Sequence, residues 1–336
     1  MDVITEIKDR SKLNDFISRQ EDGSLFQTWE WGEFQKAAGF KIWRLGIVTG
    51  SNLEAAATVL KYDMPGGRWY LYAPRLTQNV KRKTQNVKLL ENIKEIGQKE
   101  NCLFFRFDSL RADSADKNWL KELGAVKAPK EIQPRNTIMV DLVPAEDEVL
   151  AQMKSKWRYN IRLAEKKGVT VRESIAADDL DEFYRLAEIT DRRDKFHIHE
   201  RKYYKVLLNT LAPAGLARLF IAEYQGKILA ASLVSFYKDT ATYMHGVSSD
   251  ENRNLMAPHL LQWRAMQAAK RRGCTRYDLY GVAPAESAGA LNHPWSGITR
   301  YKEGFGGKRV DYIGAYDIVY RPFWYGVMKI AMKIKK

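Results

Sequence analysis

The chain has 336 residues but only two cysteines, Cys102 and Cys274, so the sequence offers no disulfide framework and no cysteine-rich metal cluster. No uninterrupted apolar run approaches the ~18 residues that a membrane-spanning helix needs. The first residues lack the basic stretch and apolar core of a secretory signal. From these absences we expect a cytoplasmic protein with two buried thiols.

Several sequence motifs of cofactor-dependent enzymes are also missing. There is no Walker loop, dinucleotide fingerprint, nucleophile elbow, cysteine–histidine pair or acetyl-CoA loop of the Q/R-x-x-G-x-G/A kind. These gaps argue against ATP, nicotinamide cofactors, an acyl-enzyme and ordinary acetyltransferases. His197, His199 and Glu200 superficially resemble metal ligands, but no fourth ligand stands at a useful spacing. We therefore expect no cofactor and no metal.

Positive charge is in clear excess. The chain has 55 lysines and arginines against 41 aspartates and glutamates, which gives 55 − 41 = +14 and a pI of about 9.5. Such an excess favours an anionic partner: nucleic acid, a phosphorylated substrate or an anionic membrane.

One segment, residues 153–168, concentrates that charge on a predicted helix. An apolar stripe recurs at helical spacing, and Gly168 ends the helix. The stripe consists of Met153, Trp157, Ile161 and Ala164, and the basic residues beside it are Lys154, Lys156, Arg158 and Arg162. A helix of this kind can dock on a core and present its charge to a polyanion, although a plain solvated face has the same pattern.

The order of apolar runs, turns and helices is similar in the two halves of the chain. Each half has three hairpin-linked strands, a crossover helix and a further strand, which predicts antiparallel pairs followed by one parallel pair. The predicted segments are residues 43–48, 55–60, 69–74, 84–100 and 103–108 in the first half, and 217–223, 228–237, 240–247, 258–272 and 276–281 in the second.

The fold expected from this repeat is α/β (mixed α+β), with two units in tandem, each a mixed sheet with flanking helices. Helices should open each unit, at 25–38 in the first and at 146–167 and 178–191 in the second. We expect a first domain of residues 1–143, joined by the tail 313–336, and a second domain of residues 144–312.

A few residues are candidates for chemistry by position alone. Thr28 is a suitable N-cap for a helix that carries Trp31, Phe34 and Lys36, and Lys36 can reach a phosphate. Asp108 ends an apolar strand, where ligands often bind, and Arg75 also follows a strand. Lys302 stands beside the turn Gly304-Phe-Gly-Gly307 and can stabilise developing negative charge. A turn or capping role for Asp108 and a solvated turn for Lys302 fit the same patterns.

Taken together, the motifs resemble the Fem family of peptidoglycan interpeptide-bridge aminoacyltransferases. The resemblance spans nearly the whole chain, and its order and spacing are more specific than any single motif. The matching motifs are Gln27-Thr-Trp-Glu-Trp31, Tyr72-Ala-Pro-Arg75, Gln133-Pro-Arg-Asn-Thr137 with Val140-Asp-Leu142, Lys156-Trp-Arg-Tyr-Asn-Ile-Arg162, Leu261-Gln-Trp263, and Tyr301-Lys302 with Phe305-Gly-Gly307.

The resemblance implies two acetyltransferase-like (GNAT-type) domains. It also implies transfer of an amino acid from aminoacyl-tRNA to an amine of the peptidoglycan stem peptide, in a UDP-linked or lipid-linked precursor, by a protein expected to be a monomer. Some family members carry a coiled-coil arm in the second domain. Residues 188–213 are too few for such an arm, so the chain looks like the compact, arm-less type.

The resemblance also assigns roles to particular residues. Lys302 would stabilise the oxyanion or orient the terminal ribose of the tRNA, and Asp108 would orient or deprotonate the amine. The basic helix would take the place of the arm in contacting tRNA. Substrate contacts would come from Lys36 and Arg201 to the diphosphate, from Tyr204 and Tyr243 to the peptide, and from Arg75 and Phe305.

Two alternatives remain open at this point: an acyl-CoA-dependent N-acyltransferase on the same fold, and a non-catalytic protein that binds RNA or a membrane surface. The tail 321–336 alternates apolar residues with lysines. This pattern fits either a helix that docks on the protein or a cationic amphipathic helix in peripheral contact with an anionic membrane.

Overall fold

A computed structural model describes residues 2–77, 83–112, 117–194, 198–285 and 293–334. The chain forms two compact units, which we call unit 1 (Met1–Arg135 and Asp311–Lys336) and unit 2 (Asn136–Val310). In the described part of the chain, no helix combines the length and apolar character needed to traverse a bilayer.

Both units contain strands and helices. The strands are β1 (Asp2–Glu6), β2 (Lys41–Thr49), β3 (Asn52–Met64), β4 (Arg68–Ala73), β5 (Cys102–Phe107), β6 (Val126–Lys127), β7 (Asn136–Asp141), β8 (Thr170–Ser174), β9 (Ala217–Tyr224), β10 (Lys227–Tyr237), β11 (Thr240–Ser248), β12 (Arg276–Asp278), β13 (Lys308–Asp311) and β14 (Tyr316–Val319). The helices are α1 (Arg10–Arg19), α2 (Trp29–Ala37), α3 (Lys83–Lys99), α4 (Asn118–Glu122), α5 (Glu146–Ala151), α6 (Ser155–Lys166), α7 (Ala177–Asp194), α8 (Arg201–Leu211), α9 (Ala257–Arg271), α10 (Ser296–Glu303) and α11 (Pro322–Ile334).

The sheet of unit 1 has the strand order β1-β2-β3-β4-β5-β14-β6 among the described residues. Its hairpin pairs β2–β3 and β3–β4 are antiparallel, and β4–β5 is parallel across the crossover helix α3. Thr28 caps α2, since its side chain accepts a hydrogen bond from the Trp31 backbone N–H at 3.3 Å. The predicted antiparallel and parallel pairing and the predicted cap are therefore confirmed in this unit.

The sheet of unit 2 repeats the arrangement, with the order β13-β7-β12-β11-β10-β9-β8 among the described residues. The pairs β9–β10 and β10–β11 are antiparallel and β11–β12 is parallel. Phe220 and Ala222 of β9 pack in the core beneath α9, while the alternating residues Leu219 and Ile221 are also fully buried. Both faces of β9 are therefore covered. The predicted mixed α/β fold class is confirmed.

The structure moves the boundary between the units away from the position predicted after residue 143. Strand β7 pairs antiparallel with β12 in the sheet of unit 2, and β13 joins the same sheet. Strand β14 instead lies between β5 and β6 in unit 1. Strand β7 pairs with a partner far away in the sequence, so local patterns gave no sign that it joins unit 2, whereas β14 lies in unit 1, as predicted for the tail 313–336.

The predicted helix 146–167 is interrupted and forms two helices, α5 and α6. At the break, the Lys154 backbone N–H donates to Gly304 O at 2.9 Å. Arg158 Nη1 donates to Ala151 O at 3.1 Å and to Met153 O at 2.5 Å. The break occurs because these carbonyls find partners outside the helix ladder and the Met153 side chain turns into the core.

The tail is anchored in unit 1 by a buried ion pair. Arg106 on β5 donates from Nε and Nη2 to the two carboxylate oxygens of Asp317 on β14, each at 2.7 Å. The Tyr325 hydroxyl of α11 donates to the same carboxylate at 2.8 Å. A buried carboxylate with three charge-assisted or neutral donors is well satisfied, so the ion pair fixes both β14 and α11 in place.

Candidate active site

Lys302 lies near the end of α10, and its side chain is only 6% exposed. Its Nζ donates to Gly281 O at 2.8 Å and to Tyr280 O at 3.2 Å. Burial lowers the pKa of Lys302 to about 7, and the charge of Asp278 acts in the opposite direction. Lys302 is thus a buried amine that changes protonation near neutral pH, which contradicts the interpretation of a solvated turn lysine.

The two carbonyls come from a strained turn that follows β12. Tyr280 has a left-handed backbone, with a φ of 58°, which is uncommon outside glycine. The carboxylate of Asp278 holds that turn, because its Oδ1 accepts from the Tyr280 backbone N–H at 2.8 Å and from the Thr137 hydroxyl. Strain of this kind persists only where its surroundings enforce it and is concentrated at functional sites. Here it aims two carbonyl oxygens at one ammonium group.

The ammonium group of Lys302 has one donor more than these carbonyls use. An ammonium has three N–H groups. Among the described residues, only Tyr280 O and Gly281 O accept from Nζ, so one N–H has no acceptor there. The Nζ atom also lies 5.6 Å from the ring centroid of Tyr243, a distance at which an aromatic face stabilises a cation.

Tyr243 is placed by an irregularity in β11. The pairing with β10 shifts between Leu233 and Val234, so Met244 is an extra residue between Tyr243 and His245. A Cβ atom on Gly246 would come within 1.6 Å of the Tyr243 hydroxyl, so only glycine permits this position of the ring. Burial raises the pKa of Tyr243. The bulge and the glycine together place an aromatic face beside Lys302.

The basic helix α6 is fastened to α10, the helix that carries Lys302. Trp157 Nε1 donates to Tyr301 O at 3.0 Å, and the Trp157 ring covers Gly304 so closely that an added Cβ would lie 1.9 Å from it. The stripe predicted from the sequence is buried at Met153, Ile161 and Ala164. A ligand bound on α6 would therefore lie on a helix that is packed directly against α10, which carries Lys302.

The four basic residues predicted to contact tRNA fall into two groups. Lys154, Lys156 and Arg162 are exposed, and no ion pair is recorded for them among the described residues. Arg158 instead donates to backbone carbonyls at the break between α5 and α6, as described above. Three of the four residues predicted to contact tRNA are thus free to meet an anionic ligand, and the fourth has a structural task.

His259 was not singled out from the sequence, yet it lies between α6 and α10. Its ring centroid is 5.5 Å from that of Trp157 and 5.4 Å from that of Tyr301. Asn160 Nδ2 lies 3.2 Å from His259 Nε2, and burial lowers the pKa of His259 to about 4. His259 is therefore a neutral packing residue near neutral pH. Its position as a lone histidine in a helical segment of the sequence does not indicate this burial.

Asp108 is 0% exposed and lies in unit 1, at the end of β5. Its Oδ2 accepts from the Tyr72 hydroxyl at 2.5 Å, and its Oδ1 accepts from the Arg75 backbone N–H at 3.1 Å. Arg75 Nε is 3.4 Å from the same Oδ1, and Arg75 has a left-handed φ of 49°. Burial raises the pKa of Asp108, while Arg75 and Tyr72 act against that rise. The carboxylate fixes the turn that carries Arg75.

The remaining predicted contacts differ in accessibility. Lys36 is exposed in the last turn of α2, and Arg201 is exposed at the start of α8, where it pairs with Asp181. Tyr204 is buried, and its hydroxyl accepts from the His199 backbone N–H at 3.3 Å. Phe305 is fully buried against Tyr301. In this geometry Phe305 packs the core behind Lys302.

An aromatic and histidine cluster surrounds Tyr204 in unit 2 and was not predicted. His199 stacks on Tyr203 with ring centroids 3.8 Å apart, and His245 of β11 lies 5.2 Å from the Tyr204 ring. Burial lowers the pKa of His245 to about 3. His197 lies outside the described residues. Within the described ranges, no three histidine, cysteine or acidic side chains are grouped to hold a metal.

The fold, two mixed sheets with flanking helices, is similar to that of tandem GNAT-like proteins. A tandem GNAT protein from the clavulanic acid biosynthesis pathway is 11% identical to this chain, with a TM-score of 0.57 over 95% of this chain and 98% of that one. The crystal structure of FemX has a TM-score of 0.87 at 21% identity, over 97% of this chain and 100% of that one.

The FemAB family model matches residues 122–223 and 214–333, and the chain belongs to this family. A lipid II:glycine glycyltransferase of Staphylococcus aureus is 23% identical over 400 residues, which cover 96% of this chain and 94% of that protein. The resemblance inferred from the sequence is therefore confirmed. Helices α7 and α8, which overlap the residues 188–213 considered above, have 18 and 11 residues.

Proposed function

We propose that this protein transfers an amino acid from aminoacyl-tRNA to an amine of a peptidoglycan precursor, on the cytoplasmic side of the membrane. Membership of the FemAB family and a relative named for glycyl transfer to lipid II support this proposal. The observation that carries it is Lys302, a buried ammonium held by two carbonyls with a third N–H unused within the described residues.

The reaction needs little covalent chemistry from the protein. The acceptor amine attacks the ester carbonyl of aminoacyl-tRNA, a tetrahedral oxyanion forms, and the C–O bond to the ribose breaks as the amide bond is made. The amine loses one proton and the departing ribose hydroxyl gains one. Because the amine is the nucleophile and the ester is already activated, the enzyme supplies positioning and charge stabilisation rather than a nucleophile.

Lys302 fits two different roles in its two protonation states. As an ammonium, it keeps one N–H to donate to the oxyanion. As a neutral amine, both its N–H groups are used by Tyr280 O and Gly281 O, and its lone pair is left to accept a proton. We assign the cationic role to Lys302, because Asp278 and the face of Tyr243 both favour the charge.

The pH dependence separates these two roles. We expect the ratio of the wild-type transfer rate to that of Lys302→Met to be constant below pH 7. It should then fall about tenfold per pH unit above it, since the cation is lost above its pKa of about 7. Taking the ratio cancels the ionisation of the acceptor amine, which both proteins share. Single-turnover measurements between pH 5.5 and 9 test this, and a ratio that rises towards pH 7 would assign the base role instead.

We give the other predicted residues roles that follow their burial. Asp108 acts as a positioning residue through Arg75, because both its oxygens are occupied. Lys36 in unit 1 and Arg201 in unit 2 are exposed, and each is proposed separately as a contact of an acceptor phosphate. Tyr243 lines the acceptor side of Lys302, and the exposed residues of α6 contact the tRNA.

A transfer assay tests the proposed function directly. The full chain is incubated with a panel of charged tRNAs, glycyl-tRNA included, and with either a UDP-linked or a lipid-linked muropeptide. We expect the acceptor to gain the mass of one amino-acid residue, and we expect ribonuclease to abolish the gain. Transfer that survives ribonuclease, or that requires acetyl-CoA in place of charged tRNA, would contradict the proposal and favour a CoA-dependent acyltransferase.

A further inference from the structure

Helix α11 at the end of unit 1 packs on the protein along one side only. Tyr325 is buried with Leu103 and Phe104, and Met328 packs against the same cluster. The Tyr325 hydroxyl reaches Asp317, as described above. These contacts fix the rotation of α11 about its axis and so determine which of its residues face outward.

The outward side of α11 is apolar. Phe323 is 73% exposed, Val327 is 42% exposed and Ile330 is 62% exposed, at spacings of i, i+4 and i+7 on one helix face. Trp324 is 41% exposed beside them. Single exposed apolar residues are common on proteins, but four on one short helix form a continuous patch that marks an interaction site. We call these four residues the outer face of α11.

Basic residues border α11 beside its outer face, with Lys329 Nζ 5.9 Å from the ring centroid of the buried Tyr325. Lys329 is exposed on the same helix, and the guanidinium of Arg68 lies 3.8 Å from the Trp324 ring centroid. The sequence after Asp317 contains no acidic residue and continues with Lys333, Lys335 and Lys336. Apolar side chains that include Phe and Trp, bordered by lysines, are the composition of helices that lie in a membrane interface.

We propose that the outer face of α11 binds the surface of an anionic lipid bilayer, with its aromatic and aliphatic side chains among the acyl chains and its lysines at the phosphates. A helix of 13 residues is too short to span a bilayer, so it lies along the surface. A second copy of the chain is a poorer occupant, because an isologous contact would bring the lysines of both copies together. This inference rests on the proposed function in one respect: a lipid-linked acceptor would lie at the membrane surface that α11 binds.

Vesicle binding by the full-length protein tests the proposal. We expect the protein to co-sediment with vesicles containing phosphatidylglycerol and to bind phosphatidylcholine vesicles at least ~10-fold more weakly. The double variant Phe323→Gln/Ile330→Gln should lose at least ~10-fold in partitioning. Lys329→Gln should lose about fivefold, which is the contribution of one lysine near a charged surface. The matched control is Val143→Gln/Ile175→Gln, which removes two apolar residues that are 67% and 58% exposed in unit 2.

The possible outcomes separate this inference from the proposed function. Equal binding to both vesicle types, or unchanged binding by Phe323→Gln/Ile330→Gln, overturns it. So does a wild-type dimer, seen by sedimentation velocity without vesicles, that the double variant converts to a monomer. The same variants are assayed with the UDP-linked acceptor in solution. If the protein transfers an amino acid but does not bind vesicles, only the proposed membrane binding by α11 is contradicted. If it binds vesicles but shows no transfer, only the proposed function is contradicted.

Discussion

Replacing Lys302 by methionine is expected to lower kcat for aminoacyl transfer by ~10²–10³-fold, while acceptor binding changes by less than about threefold. Methionine keeps the unbranched apolar stem of lysine, one heavy atom shorter, but offers no N–H to an oxyanion. The negative charge exists only in the tetrahedral state. Removing the group that stabilises this charge therefore lowers kcat and leaves acceptor binding nearly unchanged. Single-turnover assays, quenched at successive times, give the rate constant of aminoacyl transfer. Calorimetric titration with a UDP-linked muropeptide gives the binding constant of the acceptor.

The variant Lys308→Met is the matched control, because Lys308 is exposed and only six positions away. It should transfer at the wild-type rate. Melting curves for both variants show whether Lys302→Met has merely unfolded, since it leaves Tyr280 O and Gly281 O without their donor. Equal losses in rate and in acceptor binding would reassign Lys302 to holding the acceptor in the ground state.

Much of the fold was predictable because the signals are local. The hairpin-linked strands of both units are bounded by turns such as Gln225-Gly226, whose two residues have positive φ values of 49° and 74°. The buried stripe of α6 has simple helical spacing, and the cap at Thr28 needs only its neighbours. Each of these elements is specified by fewer than about twenty consecutive residues, which is the range over which periodicity carries information.

The strands β7, β13 and β14 were not predicted because their signals are not local. Each is short, and β7 pairs with β12 more than a hundred residues later. The break between α5 and α6 has the same origin, because the Lys154 backbone N–H donates to Gly304, far along the chain. Propensity alone favours one continuous helix there, and tertiary contacts override it.

At the candidate site, the sequence identified the residue types but not their environments. Lys302 was found from its neighbouring glycines, but its burial depends on the left-handed turn at Tyr280 and on Asp278, and nothing local predicts that turn. The sequence placed Asp108 at a strand end but did not show that both its oxygens are taken by Tyr72 and Arg75. Partners and solvent exposure are set by packing between segments, and so they become visible only in three dimensions.

Reversing the charge of two exposed residues on α6, with Lys156→Glu/Arg162→Glu, is expected to weaken aminoacyl-tRNA binding by ~100-fold at low salt. The log–log dependence of affinity on salt should lose about two units of slope, because each basic residue that neutralises a phosphate releases close to one counterion. Filter binding of charged tRNA at several salt concentrations measures both quantities. The rate at saturating tRNA should change far less, since neither side chain touches Lys302.

The control for this double variant is Lys8→Glu/Arg19→Glu, which makes the same change in net charge at exposed positions of unit 1. If both double variants lose affinity equally, the tRNA responds to the overall charge of +14 rather than to α6. If the salt slope of Lys156→Glu/Arg162→Glu is unchanged, the tRNA binds elsewhere. If only Lys156→Glu/Arg162→Glu loses affinity for aminoacyl-tRNA, the donor binds on α6. Because Trp157 of α6 packs on α10, which carries Lys302, the same packed pair of helices would then position the ester and stabilise the charge that forms on it.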